Sequence, residues 1–493
     1  MNSARVMTLE TLMEGVPYLS WRGKRDLHVT GIAYDTRHIK TGEIFCSWPG
    51  TQRDGAEYAS DAIQAGASAL VLEKDLLSQT SCPIIKVESA RRALSRIAAN
   101  WFGRPAMRIP VIGITGTNGK SSTAILLNHL LEAGGQPCGL MGTLFYRTGR
   151  VEYPAERTTP EALEVQQLLA EMADAGCSHA VMEVSSHGLD QGRVEGIAFR
   201  GALFTNLTHD HLDYHGTMEN YFLAKARLFR QIEPDGFAIL PLDDSNGKRL
   251  REWVPGSSKV VTFGLNETAD SSAGDVRTFR SGSSFVWKFQ DTKREVVIPW
   301  VGDFNLRNAL VAMTAAVCCG MDADWVAELV ERAPSVPGRM QRVGADERFT
   351  LLVDYAHTDD ALGNVLRSLQ PLKEKRIITI IGCGGNRDKT KRPVMARVAC
   401  EMSDQVIFTA DNPRDEKVEE IILQMEAGVT GWSNYRSIPD RREAIITAVR
   451  EACEGDIILV AGKGHESYQE IAGIRHPFSD VEVVEQCLSR RTE

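Results

Sequence analysis

Arg108-Ile109-Pro110-Val111-Ile112-Gly113-Ile114-Thr115-Gly116-Thr117-Asn118-Gly119-Lys120-Ser121-Ser122-Thr123 is the stretch from which the fold is read. Its apolar start predicts a buried strand and its glycines a tight turn. Behind it, Ala124-Ile125-Leu126-Leu127-Asn128-His129-Leu130-Leu131 predicts a helix with a broad apolar face. Strand, glycine-rich turn and helix start make an anion site, because backbone N–H groups and the positive end of the helix dipole converge on a phosphate. Lys120 is placed to reach terminal phosphates and the Ser121 hydroxyl to ligate magnesium. The general pattern GxxxxGK[ST] needs glycine at position 114, where this chain has Ile114; its glycines fall at 113, 116 and 119. A glycine-rich turn without nucleotide is the bland alternative, but a lysine followed by two hydroxyls at a helix start has little structural use.

Working outward, 493 residues suggest three domains at roughly 100–200 residues each. A hydrophobic content of 43% and a charged content of 25% are those of a soluble globular chain. The net charge of −9 argues against a general binder of nucleic acid or anionic membrane, so anionic substrates must be met by local Arg and Lys. The ten cysteines include no C-x-x-C pair, which fits reduced thiols. Met1 to Glu10 carry no apolar signal segment, and runs such as Ile377 to Ile381 are strand-length, far short of the ~20 residues of a membrane span. The expectation is a cytoplasmic protein.

Residues 1–107 alternate short strands and helices around the loop Pro49-Gly50-Thr51-Gln52-Arg53-Asp54-Gly55, which leads into a predicted helix Tyr58 to Ala65, with no catalytic constellation. Residues 108–335 alternate strands and helices as a doubly wound parallel sheet does, with ligands at the carboxyl ends of its strands. There Thr159 and Pro160 predict a helix start, as N-cap and first helical residue. Ala180-Val181-Met182-Glu183 delivers a carboxylate suited to magnesium. Thr208-His209-Asp210-His211-Leu212-Asp213-Tyr214-His215 crowds three histidines and two aspartates. A zinc hydrolase is one reading of that cluster; magnesium fits better beside a phosphate loop. Helix Met218 to Gln231 carries Lys225, which by residue type alone is a solvated charge. Asn305 and Asn308 share a helical face and suit a purine edge or a capping network. Residues 265–295 predict peripheral hairpins. Ala333-Pro334-Ser335-Val336-Pro337-Gly338-Arg339 marks a hinge. In residues 336–493, four apolar strands each empty into a charged loop, at Asp354, Gly382, Asp411 and Gly462, which is a Rossmann-type arrangement around one composite site.

The strings G-T-N-G-K-S-S, M-E-V-S-S-H-G-L, F-T-N-L-T-H-D-H-L-D-Y-H-G, V-D-Y-A-H-T, G-C-G-G-N-R-D-K-T-K-R-P, D-N-P-R and V-A-G-K-G-H-E, spread over residues 113–466, together closely resemble the Mur ligase superfamily and, within it, the members that add 2,6-diaminopimelate. The resemblance implies an α/β fold of three domains: a small N-terminal UDP-binding domain (1–107), a central P-loop-type, mostly parallel-sheet ATPase domain (108–335) and a C-terminal Rossmann-like amino-acid-binding domain (336–493). It implies ATP-driven amide formation for peptidoglycan synthesis, with magnesium as cofactor. The D-Glu side-chain carboxylate of UDP-MurNAc-L-Ala-D-Glu becomes an acyl phosphate, and the amine of meso-diaminopimelate displaces phosphate.

By the same resemblance, Gly116, Thr117, Asn118, Gly119, Lys120, Ser121 and Ser122 cradle ATP, and Asn308, Arg339 and Asp354 hold adenine and ribose. Ser121, Glu183, His211 and a carbamylated Lys225 serve magnesium. Tyr34, Thr36, Gln52, Thr158, Thr159, Ser185, Gln191 and Arg193 hold the UDP-sugar peptide. Asp35-Thr36-Arg37 stands where many members have Asp-Ser-Arg, so the hydroxyl is kept. Arg387, Asp411, Asn412, Pro413, Arg414, Gly462 and Glu466 match the diaminopimelate site. Arg414 can pair bidentately with the far carboxylate of diaminopimelate; L-lysine has none and would leave the arginine desolvated and unpaired. The alternatives are a lysine-adding ligase, a folylpolyglutamate synthase-like ligase, a non-catalytic nucleotide switch and the zinc hydrolase. A monomer is expected.

Overall fold

The computed structural model describes residues 5–50, 54–74, 80–344 and 348–491. Three α/β sheets follow one another along the chain. The first has five strands in the order Ser20–Arg22, Ile84–Lys86, Ala69–Leu72, Glu43–Ser47, Gly31–Ala33, parallel except at Ser20–Arg22. The second has eleven strands, and its middle is parallel. Val111–Thr115 lies in that middle, between His179–Glu183 and Phe199–Phe204. The third has six strands, with Thr350–Asp354, Ile457–Ala461, Ile377–Ile381 and Gln405–Phe408 adjacent and parallel.

The strand Val111–Thr115 is buried along its whole length because both faces of its sheet are covered. Ile112 and Ile114 pack with helices Lys120–Ala133, Asp303–Cys318 and Ala323–Val330; Val111 packs on the opposite face with Phe199, Phe204 and helix Ala162–Asp174. Gly113 is needed for close packing, since a Cβ there would lie 2.8 Å from the Phe199 ring. The predicted hairpins are Ser271–Phe279, Gly282–Phe289 and Thr292–Ile298, an antiparallel margin of the second sheet.

Three local expectations are corrected. The predicted helix at Thr159-Pro160 begins only at Ala162, because the Thr159 hydroxyl is taken by Glu183 O at 2.9 Å instead of capping its own helix. The predicted helix Tyr58–Ala65 is a 3-10 turn, Gly55–Tyr58, followed by Ala59–Gln64. The helix carrying Lys225 stops at Ala226, and a separate 3-10 turn spans Phe229–Gln231. Gln52 lies outside the described residues. Among the described residues no helix is long and apolar enough to cross a membrane.

Candidate active site

The helix Lys120–Ala133 starts from Gly119, whose φ of +85° only glycine takes up readily. Gly116 and Gly119 also let the loop run against its neighbours: a Cβ on either would collide with Thr205 Oγ1 or with Asn308 Oδ1. Lys120 folds back on this loop, its Nζ donating to Gly116 O at 3.0 Å and Thr117 O at 2.8 Å. Desolvation lowers its pKa from the usual lysine range. The Ser121 hydroxyl donates to Glu183 Oε2 at 2.9 Å. Glu183, at the end of its strand and 1% exposed, also accepts from Thr143 N at 2.8 Å and Thr143 Oγ1 at 3.1 Å. Thr143 was not anticipated; nothing in its residue type or spacing marks it.

Lys225 is not the solvated charge its residue type suggests. It is 1% exposed, donates to Gly116 O at 2.7 Å and sits 4.4 Å over the Tyr221 ring. Burial first, and the nearby Lys120 second, push its pKa well below the lysine range, so the amine is held toward its neutral form. His211 follows in a positive-φ position, φ +53°, with its ring edge-on to His187 at 5.0 Å. His215 pairs with Ser186 Oγ at 3.0 Å and is structural.

The donors beside the phosphate loop are hard oxygens, a buried carboxylate and a hydroxyl in contact, with the buried Lys225 amine behind the loop. That set fits magnesium, which takes few protein ligands and completes its shell with water and phosphate oxygens. Among the described residues no group of three or more His, Cys, Asp or Glu side chains could hold a metal, so the zinc-hydrolase alternative has no built site.

Two cavities meet across the second and third sheets. One, of about 70 Å³, is lined by Asn118, Gly119, Ser122, Asn308, Arg339 and Asp354, together with Phe304 and His357. Arg339 lies 4.6 Å over Tyr355 and 3.5 Å from Ser121 Oγ. Asp354 accepts from Met340 N at 2.6 Å and Ala356 N at 2.8 Å, and burial raises its pKa. Of the two asparagines, Asn308 faces this cavity, whereas Asn305 caps Val301 O at 3.0 Å. Asn118 Nδ2 reaches across to Asp360 Oδ2 at 3.1 Å.

The second cavity, of about 360 Å³, brings Thr158, Asp210 and His211 from the central unit against Arg387, Asp411, Asn412, Arg414, Gly462 and Glu466. Lys463, fully buried, donates to Asn412 Oδ1 at 3.0 Å and Glu466 Oε2 at 2.7 Å, tying two predicted residues together. Asp411 keeps one buried oxygen without a hydrogen-bond partner, with Lys463 Nζ 3.8 Å away. Arg414 lies in a left-handed position, φ +52°, and donates to Gly385 O at 2.7 Å. Pro413 packs its carbonyl so closely on Gly385 that a Cβ there would clash. Arg392, fully buried, donates to Glu416 and to Gly384 O at 3.0 Å, holding the loop that carries Arg387. Lys463 and Arg392 fall within the motif strings, but nothing in the strings marks them as the ties.

The remaining predicted residues gather where the first and second sheets meet. Tyr34 donates to Glu164 Oε1 at 2.6 Å and stacks on Trp48 at 5.8 Å. Arg193 donates to Thr159 O at 2.7 Å and Gln191 Oε1 at 2.7 Å. Ser185 accepts from Thr159 Oγ1 at 3.1 Å, and Thr158 pairs with Thr143 at 3.0 Å. Thr36 opens a 3-10 turn capped by Asp35, which pairs with Arg37.

Comparison with known proteins places this geometry. Three family models match: "Mur ligase family, catalytic domain" over residues 28–102, "Mur ligase middle domain" over 114–316 and "Mur ligase, glutamate ligase domain" over 338–464. The UDP-N-acetylmuramoyl-L-alanyl-D-glutamate–2,6-diaminopimelate ligase of Bacillus licheniformis is 39% identical over 490 residues, covering 98% of this chain and 99% of the relative. A solved structure of a ligase of the same name is 33% identical with a TM-score of 0.72, over 99% of this chain and 100% of its own. Folylpolyglutamate synthase of Mycobacterium tuberculosis, solved with ADP and AMPPCP, shares the fold at 20% identity and a TM-score of 0.62, over 75% of this chain and 92% of its own.

Proposed function

The chain belongs to the Mur ligase family, and from that premise we propose that it joins meso-2,6-diaminopimelate to the D-Glu side-chain carboxylate of UDP-MurNAc-L-Ala-D-Glu, converting ATP to ADP and phosphate. The observation that carries this reading is the composite cavity, in which Arg387, Asp411, Asn412, Arg414 and Glu466 face the Asp210–His211 loop, while the phosphate-loop residues Asn118, Gly119 and Ser122 line the cavity that shares Tyr355 and His357 with it. The diaminopimelate-ligase names of the relatives support the same acceptor.

The proposed division of labour follows from the side chains. Lys120 swings from its loop carbonyls to the β- and γ-phosphates. Ser121 and Glu183, with His211, would hold magnesium, which would neutralise the repulsion between substrate carboxylate and triphosphate. Lys225, whose burial favours the free amine, would add carbon dioxide, its N–H proton passing to water as the N–C bond forms, and the resulting carboxylate would supply a further oxygen beside Ser121 and Glu183. Thr143 and Ser121 orient Glu183 by hydrogen bonds. Thr158, Thr159, Ser185, Gln191, Arg193, Tyr34 and Thr36 hold the UDP-sugar peptide. Arg414 pairs with the second carboxylate of the diamino acid. Positioning and electrostatics then supply most of the rate.

Phosphate release with ATP, magnesium and UDP-MurNAc-L-Ala-D-Glu, compared between meso-diaminopimelate and L-lysine, tests the reading. Turnover with diaminopimelate and little with lysine is expected. Preference for lysine would overturn the specificity, and turnover with neither would overturn the reaction.

A further inference from the structure

His357 lies in the loop after strand Thr350–Asp354 and lines both cavities, the nucleotide-side one and the amino-acid-side one. A phosphorylated carboxylate and an incoming amine would meet across that boundary. The ring and its backbone are both held. Its Nδ1 pairs with Tyr355 O at 2.9 Å, and since a carbonyl only accepts, Nδ1 carries the proton and Nε2 keeps a bare lone pair in the neutral ring. The Tyr355 ring lies edge-on at 4.7 Å, and Lys391 Nζ donates to His357 O at 3.0 Å. Among the described residues Nε2 has no hydrogen-bonding partner. An imidazole locked into one tautomer, with its free nitrogen at the junction of two substrate cavities, has the geometry of a general base.

Building on the ligase reading above, we propose that His357 Nε2 takes the proton that the attacking amine must lose. The amine arrives as R–NH3⁺. Nε2 removes one proton, and the freed nitrogen lone pair forms the C–N bond. The C–O bond to the phosphoryl group breaks, and the second surplus proton leaves with the phosphate as HPO4²⁻. One N–H remains in the amide, so protons and charge balance. Burial and the neighbouring Lys391 keep the ring neutral before the step, and Asp210 faces it with the opposite charge. The same cations also favour loss of a proton from the ammonium.

The test separates activation from ligation in His357→Gln, with His357→Asn as the second variant in case the first does not fold. Each is assayed in two ways with ATP, magnesium and UDP-MurNAc-L-Ala-D-Glu. Hydroxylamine, already neutral near pH 7, traps the acyl phosphate as a hydroxamate without needing a base; meso-diaminopimelate gives the amide. The expected result is hydroxamate formation within about 3-fold of the parent and amide formation down by about 10²- to 10⁴-fold. Equal loss of both products, or amide formation within about 3-fold, would overturn the assignment. A parent enzyme that forms no hydroxamate would overturn the ligase reading, and this assignment with it.

Discussion

Replacing Arg414 with methionine should convert a discriminating acceptor site into a permissive one. Arg414 is 23% exposed along its side chain, is anchored by Gly385 O at 2.7 Å and has Nε 3.4 Å from Glu470. Its left-handed backbone is held by Arg414 N to Glu470 O at 3.0 Å and Ala472 N to Arg414 O at 2.7 Å. Methionine carries a Cβ as arginine does, so the backbone cost is unchanged and only the charged fork is lost. A charge-assisted hydrogen bond is worth about 1.5–3 kcal/mol, and two to one carboxylate, discounted for partial exposure, give about 2–4 kcal/mol. At about 1.4 kcal/mol per decade, kcat/KM for meso-diaminopimelate should fall about 30- to 1,000-fold. L-lysine makes no such pair, so its kcat/KM should stay level, because the guanidinium, already held by Gly385 O and Glu470, gains nothing from it. Steady-state kinetics with both acceptors on Arg414→Met gives the ratio. Equal losses for the two acceptors would show that Arg414 only shapes the loop and would refute the specificity argument.

Three further outcomes are expected. Lys225→Ala should lower turnover by at least about 10²-fold and abolish a carbamate resonance that the parent shows after incubation with ¹³C-bicarbonate; a resonance surviving the substitution would refute the modification at this residue. Thr143→Val keeps the backbone bond to Glu183 but loses the hydroxyl bond, so kcat/KM for ATP should fall about 10- to 100-fold with little change in melting temperature; unaltered kinetics would remove Thr143 from the site. Glu416 is held at a pKa of about 2, chiefly by its hydrogen bonds from Arg392. A depressed carboxylate stabilises fully above its unfolded value, near 4.5, and that stability is lost as pH falls toward 2. Glu416→Gln should flatten melting temperature over this window and cost about 3 kcal/mol at neutral pH, because the fully buried Arg392 loses its counter-charge; a melting curve like the parent's would refute it.

The order of elements was legible wherever an apolar run emptied into a polar loop, because a strand buried on both faces can show polar residues only at its ends. That is why the phosphate loop, Glu183, Asp354 and Gly462 could be placed at strand termini from residue types alone, whereas the strand read as Val406 to Ala410 stops at Phe408 and leaves Asp411 in the loop beyond it. Lys225 could not. It follows Tyr221, Phe222 and Ala224 on a short helix, and its burial comes from Gly116 O, 109 positions away. Thr159 was misread for the same reason: a hydroxyl before proline fits an N-cap, but Glu183 O and Ser185 won its hydrogen bonds. Thr143, Arg392 and Lys463 act by holding other functional residues, and such support is set by tertiary contact rather than spacing.

The supporting contacts also explain how recognition and chemistry stay separable in one site. The loops proposed to read the acceptor are pinned within the third sheet: Arg392 holds Gly384 O, and the fully buried Arg441 donates to Ala410 O at 3.2 Å and Ala461 O at 2.9 Å while paired with Asp480. Asp411 and Gly462 follow immediately on those carbonyls, so the buried Arg441 fixes the spacing of two acceptor loops at once. The phosphate loop and Glu183 are pinned within the second sheet by Ser121, Thr143 and Thr205. Polar contacts such as Asn118 to Asp360, Arg339 to Ser121 and Arg280 to Glu374 bridge the two, and Val301 and Phe304 of the second unit pack into the core of the third. In the proposed ligase, a change at one acceptor-loop residue therefore leaves the contacts of Glu183 with Ser121 and Thr143 beside the phosphate loop in place.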